Sequence, residues 1–277
     1  MPCCPWLHQR TTSLLSLAIL LAIAGGAGPL AAQADSIRPV TGQNPTQVVS
    51  QFQPYIIIQS LSNGVTGYSV VPAGTLALAP RLQVQAQLPY VFRTAGDDGV
   101  TSVSGFGDPQ WELILAAPVR GSKVVRLELA LGGFIKVAPP DRGNGAWIMQ
   151  PTVGASFNLS PRLQLITVAT YQYSFGADSG VAPTSSLLGQ VFALWQPISH
   201  SYIILQLNPG VDFIGDQFVH NTQLQLGRFL NKEHTIGPWV QFALNTGEKN
   251  TIYPYSFQFQ AGLSWLFPQR PRPQDGP

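Results

Sequence analysis

The sequence predicts an all-β chain: an antiparallel up-and-down transmembrane barrel of about twelve strands, following a cleaved signal segment. Three observations predict it. Apolar and polar residues alternate with a period of two along most of the chain, and no stretch has convincing helical spacing. The connections between these stretches are short and long in turn. The polar faces carry glutamine and small residues instead of Lys and Glu, and only 10% of the 277 residues are charged. That composition suits a watery lumen enclosed by protein.

The chain opens with a secretory pattern over residues 1–34. Arg10 supplies the positive charge, Leu14 to Ala24 the apolar run, and Ala32-Gln33-Ala34 a small-x-small cleavage site before Asp35. The run is shorter than the ~20 apolar residues of a spanning helix. Cys3 and Cys4 both lie inside this segment, so the exported chain would have neither disulfide nor thiol chemistry. Residues 35–51 are polar and read as a flexible periplasmic lead-in. A formal net charge of +2 gives no electrostatic footprint for nucleic acid.

The barrel proper spans 52–267. Strands are expected near 52–61, 67–79, 81–92, 105–118, 122–137, 145–159, 161–175, 185–197, 201–214, 217–230, 234–246 and 254–267. Tight turns fall at Ala79-Pro80, Arg120-Gly121-Ser122, Ser160-Pro161, Ile198-Ser199-His200 and Asn231-Lys232-Glu233. Longer polar loops cover 94–104, 139–144, 176–184 and 246–251, with short members at Ser62-Asn63-Gly64 and Gly215-Asp216. Short periplasmic turns and long outer loops place both ends of the barrel in the periplasm.

The faces separate cleanly. Leu82, Val84, Ala86 and Leu88 oppose Gln83, Gln85 and Gln87. Ile203, Leu205, Leu207, Val211 and Phe213 oppose Gln206, Asn208 and Asp212. Phe257, Phe259, Ala261, Leu263, Trp265 and Phe267 oppose Gln258, Gln260 and Ser264. Tyr90, Trp111, Trp147, Tyr173, Trp195, Trp265 and Phe267 sit near strand ends, where membrane girdles belong. The last strand closes on an aromatic, Phe267, as a barrel-sorting signal does, but the Pro-rich tail 268–277 follows it. Expected partners are outer-membrane lipid, the barrel-assembly machinery and a small-molecule solute.

One stretch carries a family resemblance. Arg81-Leu82-Gln83, Leu88-Pro89-Tyr90, a loop, and then Gly105-Phe106-Gly107-Asp108 resemble the family named for a MetA pathway of phenol degradation. The resemblance is sharp over these residues and diffuse elsewhere. It implies an outer-membrane barrel that passes small, often aromatic or apolar compounds. It supplies no catalytic residues.

Parity places Asp108, Glu112, Arg126 and Glu128 on the lumen side of two consecutive strands. They are candidates for a charged constriction or for an ion pair that helps close the barrel; Gln83, Gln85 and Gln87 line the lumen beside them. Pro89, Pro109, Pro151 and Pro209 fall within strands, where each removes a ladder donor. Either the outer wall projects beyond the lipid there, or the wall is kinked and opens sideways for an apolar solute. His200, His220 and His234 have no metal-ligand spacing and read as turn or strand-end residues; no metal and no cofactor is expected. Ser199-His200-Ser201 has no nearby carboxylate to orient a base, so no enzyme is expected, and a lipid-modifying one stands last. The leading function is passive uptake of small neutral, apolar or aromatic compounds. Its competitors are a structural or adhesive barrel with a plugged lumen and a soluble exported β-sandwich binding module.

Overall fold

The computed structural model describes residues 47–61, 65–94, 102–119, 124–245 and 254–267. The signal segment, most of the lead-in, the tail after Phe267, the turn at 120–123 and parts of three loops lie outside the described residues.

The described chain holds sixteen strand segments: β1 (Ser50–Phe52), β2 (Tyr55–Ser60), β3 (Thr66–Val71), β4 (Ala73–Ala79), β5 (Leu82–Gln87), β6 (Tyr90–Arg93), β7 (Val103–Phe106), β8 (Gln110–Pro118), β9 (Val124–Phe134), β10 (Trp147–Ser160), β11 (Leu163–Phe175), β12 (Ser185–Ile198), β13 (Ser201–Asp212), β14 (Gln217–Arg228), β15 (Ile236–Asn245) and β16 (Phe257–Phe267). All pairings are antiparallel. The first eight segments join end to end as four staves; β9 to β16 are eight unbroken ones. Twelve staves result, and β1 pairing with β16 closes the ring. A single sheet closed on itself removes the soluble sandwich from consideration. The first stave begins at Ser50, inside the residues the sequence reading gave to the lead-in.

Exposure confirms the faces. Leu127, Leu129 and Leu131 on β9, Leu205 and Leu207 on β13, Leu224 and Leu226 on β14, and Leu263, Trp265 and Phe267 on β16 are all exposed. A contiguous apolar surface of this kind belongs in lipid. Backbone groups in hydrocarbon must be paired within the protein, which a closed sheet achieves for every interior stave. Trp147 stacks on Phe175, and Tyr171, Tyr173 and Phe213 continue the row as an aromatic girdle at the long-loop end.

Candidate permeation site

The four split staves break at one level, and each break holds a proline: Pro54 between β1 and β2, Pro72 between β3 and β4, Pro89 between β5 and β6, and Pro109 between β7 and β8. Proline has no N–H to give the ladder. Its carbonyl remains, and each of the four accepts from the neighbouring stave. Leu263 donates to Pro54 at 3.1 Å, Leu88 to Pro72 at 3.2 Å, Gly107 to Pro89 at 2.8 Å and Ile135 to Pro109 at 2.9 Å. The prolines therefore form a crease across four adjacent staves. Below it, β1, β4, β5 and β8 belong to the closed ring. Above it, β2, β3, β6 and β7 form a leaf attached to β16 at one side.

The other side of the leaf is a seam. Among the described residues, β7 pairs with β6 alone. Its outer edge meets the connection 135–146 through side chains instead of a ladder. Arg142 Nη1 donates to the Ser104 carbonyl at 3.0 Å. Asp108 is 3% exposed, and its carboxylate accepts from Val137 and Ala138 N–H at 2.9 and 2.8 Å and from Asn144 N–H at 2.5 Å. Contact is so close that glycine is required: a Cβ on Gly143 would lie 2.5 Å from Asp108 Oδ2, and one on Gly107 would lie 3.0 Å from the Arg142 carbonyl. The connection is tied on its far side by Lys136 and Asp178, 2.6 Å apart. Outside the seam, the leaf presents Tyr68 against Phe92 and Tyr90 against Phe106, ring centroids 6.0 and 5.2 Å apart, all exposed on its outer face.

The lumen changes character at the crease. Its upper part is amide-lined: Gln59 donates to Gln258 at 3.0 Å, Gln241 to Gln223 at 2.7 Å, Asn208 to Asn221 at 2.9 Å and Asn221 to the Tyr255 hydroxyl at 3.0 Å. The lower part carries an apolar cluster. Val49, Leu194, Tyr202, Ile204, Phe229, Trp239 and Leu266 pack as one buried cluster, with Tyr55 and Phe192 against it. One row of the sheet explains this stopper. Tyr202 pairs with Gly227, Gly227 with Trp239, Trp239 with Gly262 and Gly262 with Tyr55. Aromatic and glycine alternate across five staves, and each ring lies over a glycine that leaves it room. A Cβ on Gly227 would sit 2.1 Å from Tyr202 Cζ, and one on Gly262 2.7 Å from Trp239 Cζ2. Residue Val49 enters from the lead-in, its N–H donating to Gln83 Oε1 at 3.0 Å.

The family model described as "Putative MetA-pathway of phenol degradation" matches residues 57–271. The chain belongs to this family. Solved structures similar to it include an outer membrane channel from Pseudomonas putida F1, 13% identical, covering 79% of this chain and 96% of that one with a TM-score of 0.63. The NanC porin is 10% identical over 77% of this chain and 98% of its own, with a TM-score of 0.57. The KdgM porin is 9% identical over 78% and 99%, with a TM-score of 0.53. These likenesses establish the fold, a bacterial outer-membrane barrel. No curated protein matches the sequence.

In this MetA-pathway family member, the Gly105-Phe106-Gly107-Asp108 motif builds the free edge of the leaf. Parity had set Asp108 on the lumen wall of a continuous strand 105–118, but the strand breaks at 107–109 and the carboxylate serves backbone amides. Glu112, Arg126 and Glu128 do lie on inward rows of β8 and β9. Glu128 is 3% exposed, and its Oε2 accepts no hydrogen bond among the described residues. Gln87 joins the lumen network, accepting from the Tyr55 hydroxyl at 2.8 Å and donating to Gln110; Gln85 stands opposite Glu112. Pro89 and Pro109 mark breaks. Pro151 and Pro209 do not: β10 and β13 run through them, and Pro151 keeps register with Leu131 and Pro209 with His220. Pro54 and Pro72 complete the crease and were not singled out from sequence.

The structure also joins two histidines that the sequence keeps apart. His234 Nε2 lies 3.4 Å from His200 Nδ1, with the rings perpendicular. Ser199 Oγ is 2.7 Å from the same Nδ1. His234 is held below its ordinary pKa by burial first and by His200 second, with Glu233 opposing. Among the described residues no group of three or more His, Cys, Asp or Glu side chains is placed to hold a metal.

Proposed function

We propose that this barrel is a passive channel for small neutral, apolar or aromatic compounds, and that they leave it sideways through the seam beside β7. The unpaired edge of β7 above the proline crease carries the reading. Two further features support it. The packed apolar cluster narrows the way to the periplasm on one side of the wall, and the outer face of the leaf offers exposed aromatic rings where a greasy solute would enter lipid. Charge is scarce in the amide-lined upper lumen, so it suits neutral molecules. Ser199 and His200 touch, and among the described residues no carboxylate is hydrogen-bonded to that imidazole to orient it as a base.

The stopper also favours a second reading, a structural barrel with a plugged lumen. One experiment separates them. The mature chain would contain no cysteine, so Ser104→Cys with Arg142→Cys can be bridged selectively across the seam in liposomes. Swelling with a neutral aromatic solute should slow at least tenfold on bridging and recover on cleavage of the bridge. Aromatic uptake that ignores a complete bridge removes the lateral route. No uptake at all, from a barrel that still migrates heat-modifiably, supports the plugged reading.

A further inference from the structure

The two turns that carry His200 and His234 meet at the short-turn rim, directly under the stopper. Their meeting is built into the backbone. His234 adopts a positive φ of 55°, a conformation in which His is over-represented among non-glycine residues. The turn before it is fixed by Asn231, whose Oδ1 accepts from Thr235 N–H at 2.9 Å and Ile236 N–H at 3.1 Å and whose Nδ2 donates to Thr235 Oγ1. The His200 carbonyl accepts from Phe229 N–H at 2.7 Å, which ties the two turns together. Two imidazoles are thus held by separate, braced segments with ring nitrogens facing.

Their separation has chemical meaning. Two imidazole nitrogens bound to one tetrahedral zinc ion at about 2.0–2.1 Å stand about 3.4 Å apart. His234 Nε2 and His200 Nδ1 are 3.4 Å apart. A hydrogen bond between neutral imidazoles would prefer a shorter distance, near 2.9 Å for nitrogen donors. We propose that His200 and His234 form a two-nitrogen site for one borderline divalent transition ion of the zinc class. The ion would replace the hydrogen bond that Ser199 Oγ makes with His200 Nδ1 at 2.7 Å, and water would fill the remaining coordination. Neutral imidazole is the ligand form. The inference does not depend on which solute the channel passes.

The ion would also reach the stopper. The His234 ring packs on Phe229 with centroids 5.0 Å apart, and Phe229 packs on Tyr202 at 5.7 Å. Bridging the turns fixes Phe229 from the rim side. An ion that binds only the folded barrel raises its apparent stability by mass action.

The test uses the mature barrel in detergent, freed of any polyhistidine tag, titrated with Zn2+ by calorimetry. Saturable one-to-one binding is expected, together with a higher unfolding temperature, and no response to Mg2+, a hard cation that prefers oxygen ligands. His200→Ala and His234→Ala should each abolish both effects, while His220→Ala keeps them. Cu2+ on the unaltered barrel gives a check independent of refolding: its spin-resonance spectrum should show coupling to two imidazole nitrogens. Absence of saturable Zn2+ binding, equal binding in the His234→Ala barrel, or a Cu2+ signal from a single nitrogen would each overturn the site.

Discussion

The first third of the barrel and the remaining two thirds share the same alternating pattern, yet only one of them is creased. Both regions contain proline. In β10 and β13 a single proline sits between intact staves, so its missing donor is an isolated loss and register survives. In the first four staves the prolines fall at one level, and the losses line up. Proline alone does not interrupt a stave; the interruptions occur where prolines align across neighbouring strands. The proline carbonyls still accept from the neighbouring staves along the crease, so the leaf stays joined to the wall as a panel.

The contrast can be broken most severely at Asp108. Asp108→Ala leaves three backbone donors without this acceptor, one buried at Ala138 and two part-buried at Val137 and Asn144; the buried one costs about 1–3 kcal/mol and the others less. The connection 135–146 should detach, seen as loss of hydrogen-exchange protection at Val137, Ala138 and Asn144, while β11 to β15 stay protected. Equal loosening of both regions would show that the panel is not a separate unit. Next in size is the stopper. Gly227→Ala forces a methyl into Tyr202 and should cost about 1–3 kcal/mol through overpacking. It should raise single-channel conductance as the rings are displaced. An unchanged conductance would mean the stopper is not what limits flow. A smaller effect is expected from proline. Pro209→Ala should alter stability by about 1 kcal/mol or less and leave uptake alone, whereas Pro89→Ala should stiffen the crease and slow aromatic uptake. Identical behaviour of the two variants would erase the distinction drawn above. The smallest change is expected from Glu112→Gln and Arg126→Ala, which should shift ion preference in planar bilayers because few charges face the lumen. Unchanged reversal potentials in both would assign these residues to barrel closure.

Period-two alternation is local, so the strand number, their faces and the Leu82-to-Leu88 and Leu263-to-Phe267 lipid faces were legible in the sequence. So was the suspicion attached to Pro89 and Pro109. The crease was not, because Pro54, Pro72, Pro89 and Pro109 are related by strand pairing and not by any spacing along the chain. A continuous strand over 105–118 was not what formed, for a related reason: Pro109 falls at the crease, so Asp108 lies in the break between β7 and β8. The stopper was hidden because its signal is split, with rings on alternate staves and glycines between. Gly227 and Gly262 were visible as isolated glycines in strands, which signal close approach, but what approached them depended on register. His200 and His234 lie 34 positions apart and meet only because consecutive turns share a rim.

A strand with an unsatisfied edge is a template for another strand. Most barrels have no such edge, since closure abolishes it. Among the described residues β7 keeps one above the crease, covered by Arg142 and by the chain that Asp108 holds. Once uncovered, it could pair with the β7 of a second molecule, and the panel would become a joint between barrels. Self-association is therefore the hazard that the Asp108 contacts restrain. The Asp108→Ala barrel carrying Ser104→Cys should form disulfide-linked dimers in the membrane, and the barrel with Asp108 intact should not. Equal dimer yields from both would show that the edge is guarded by something other than this carboxylate.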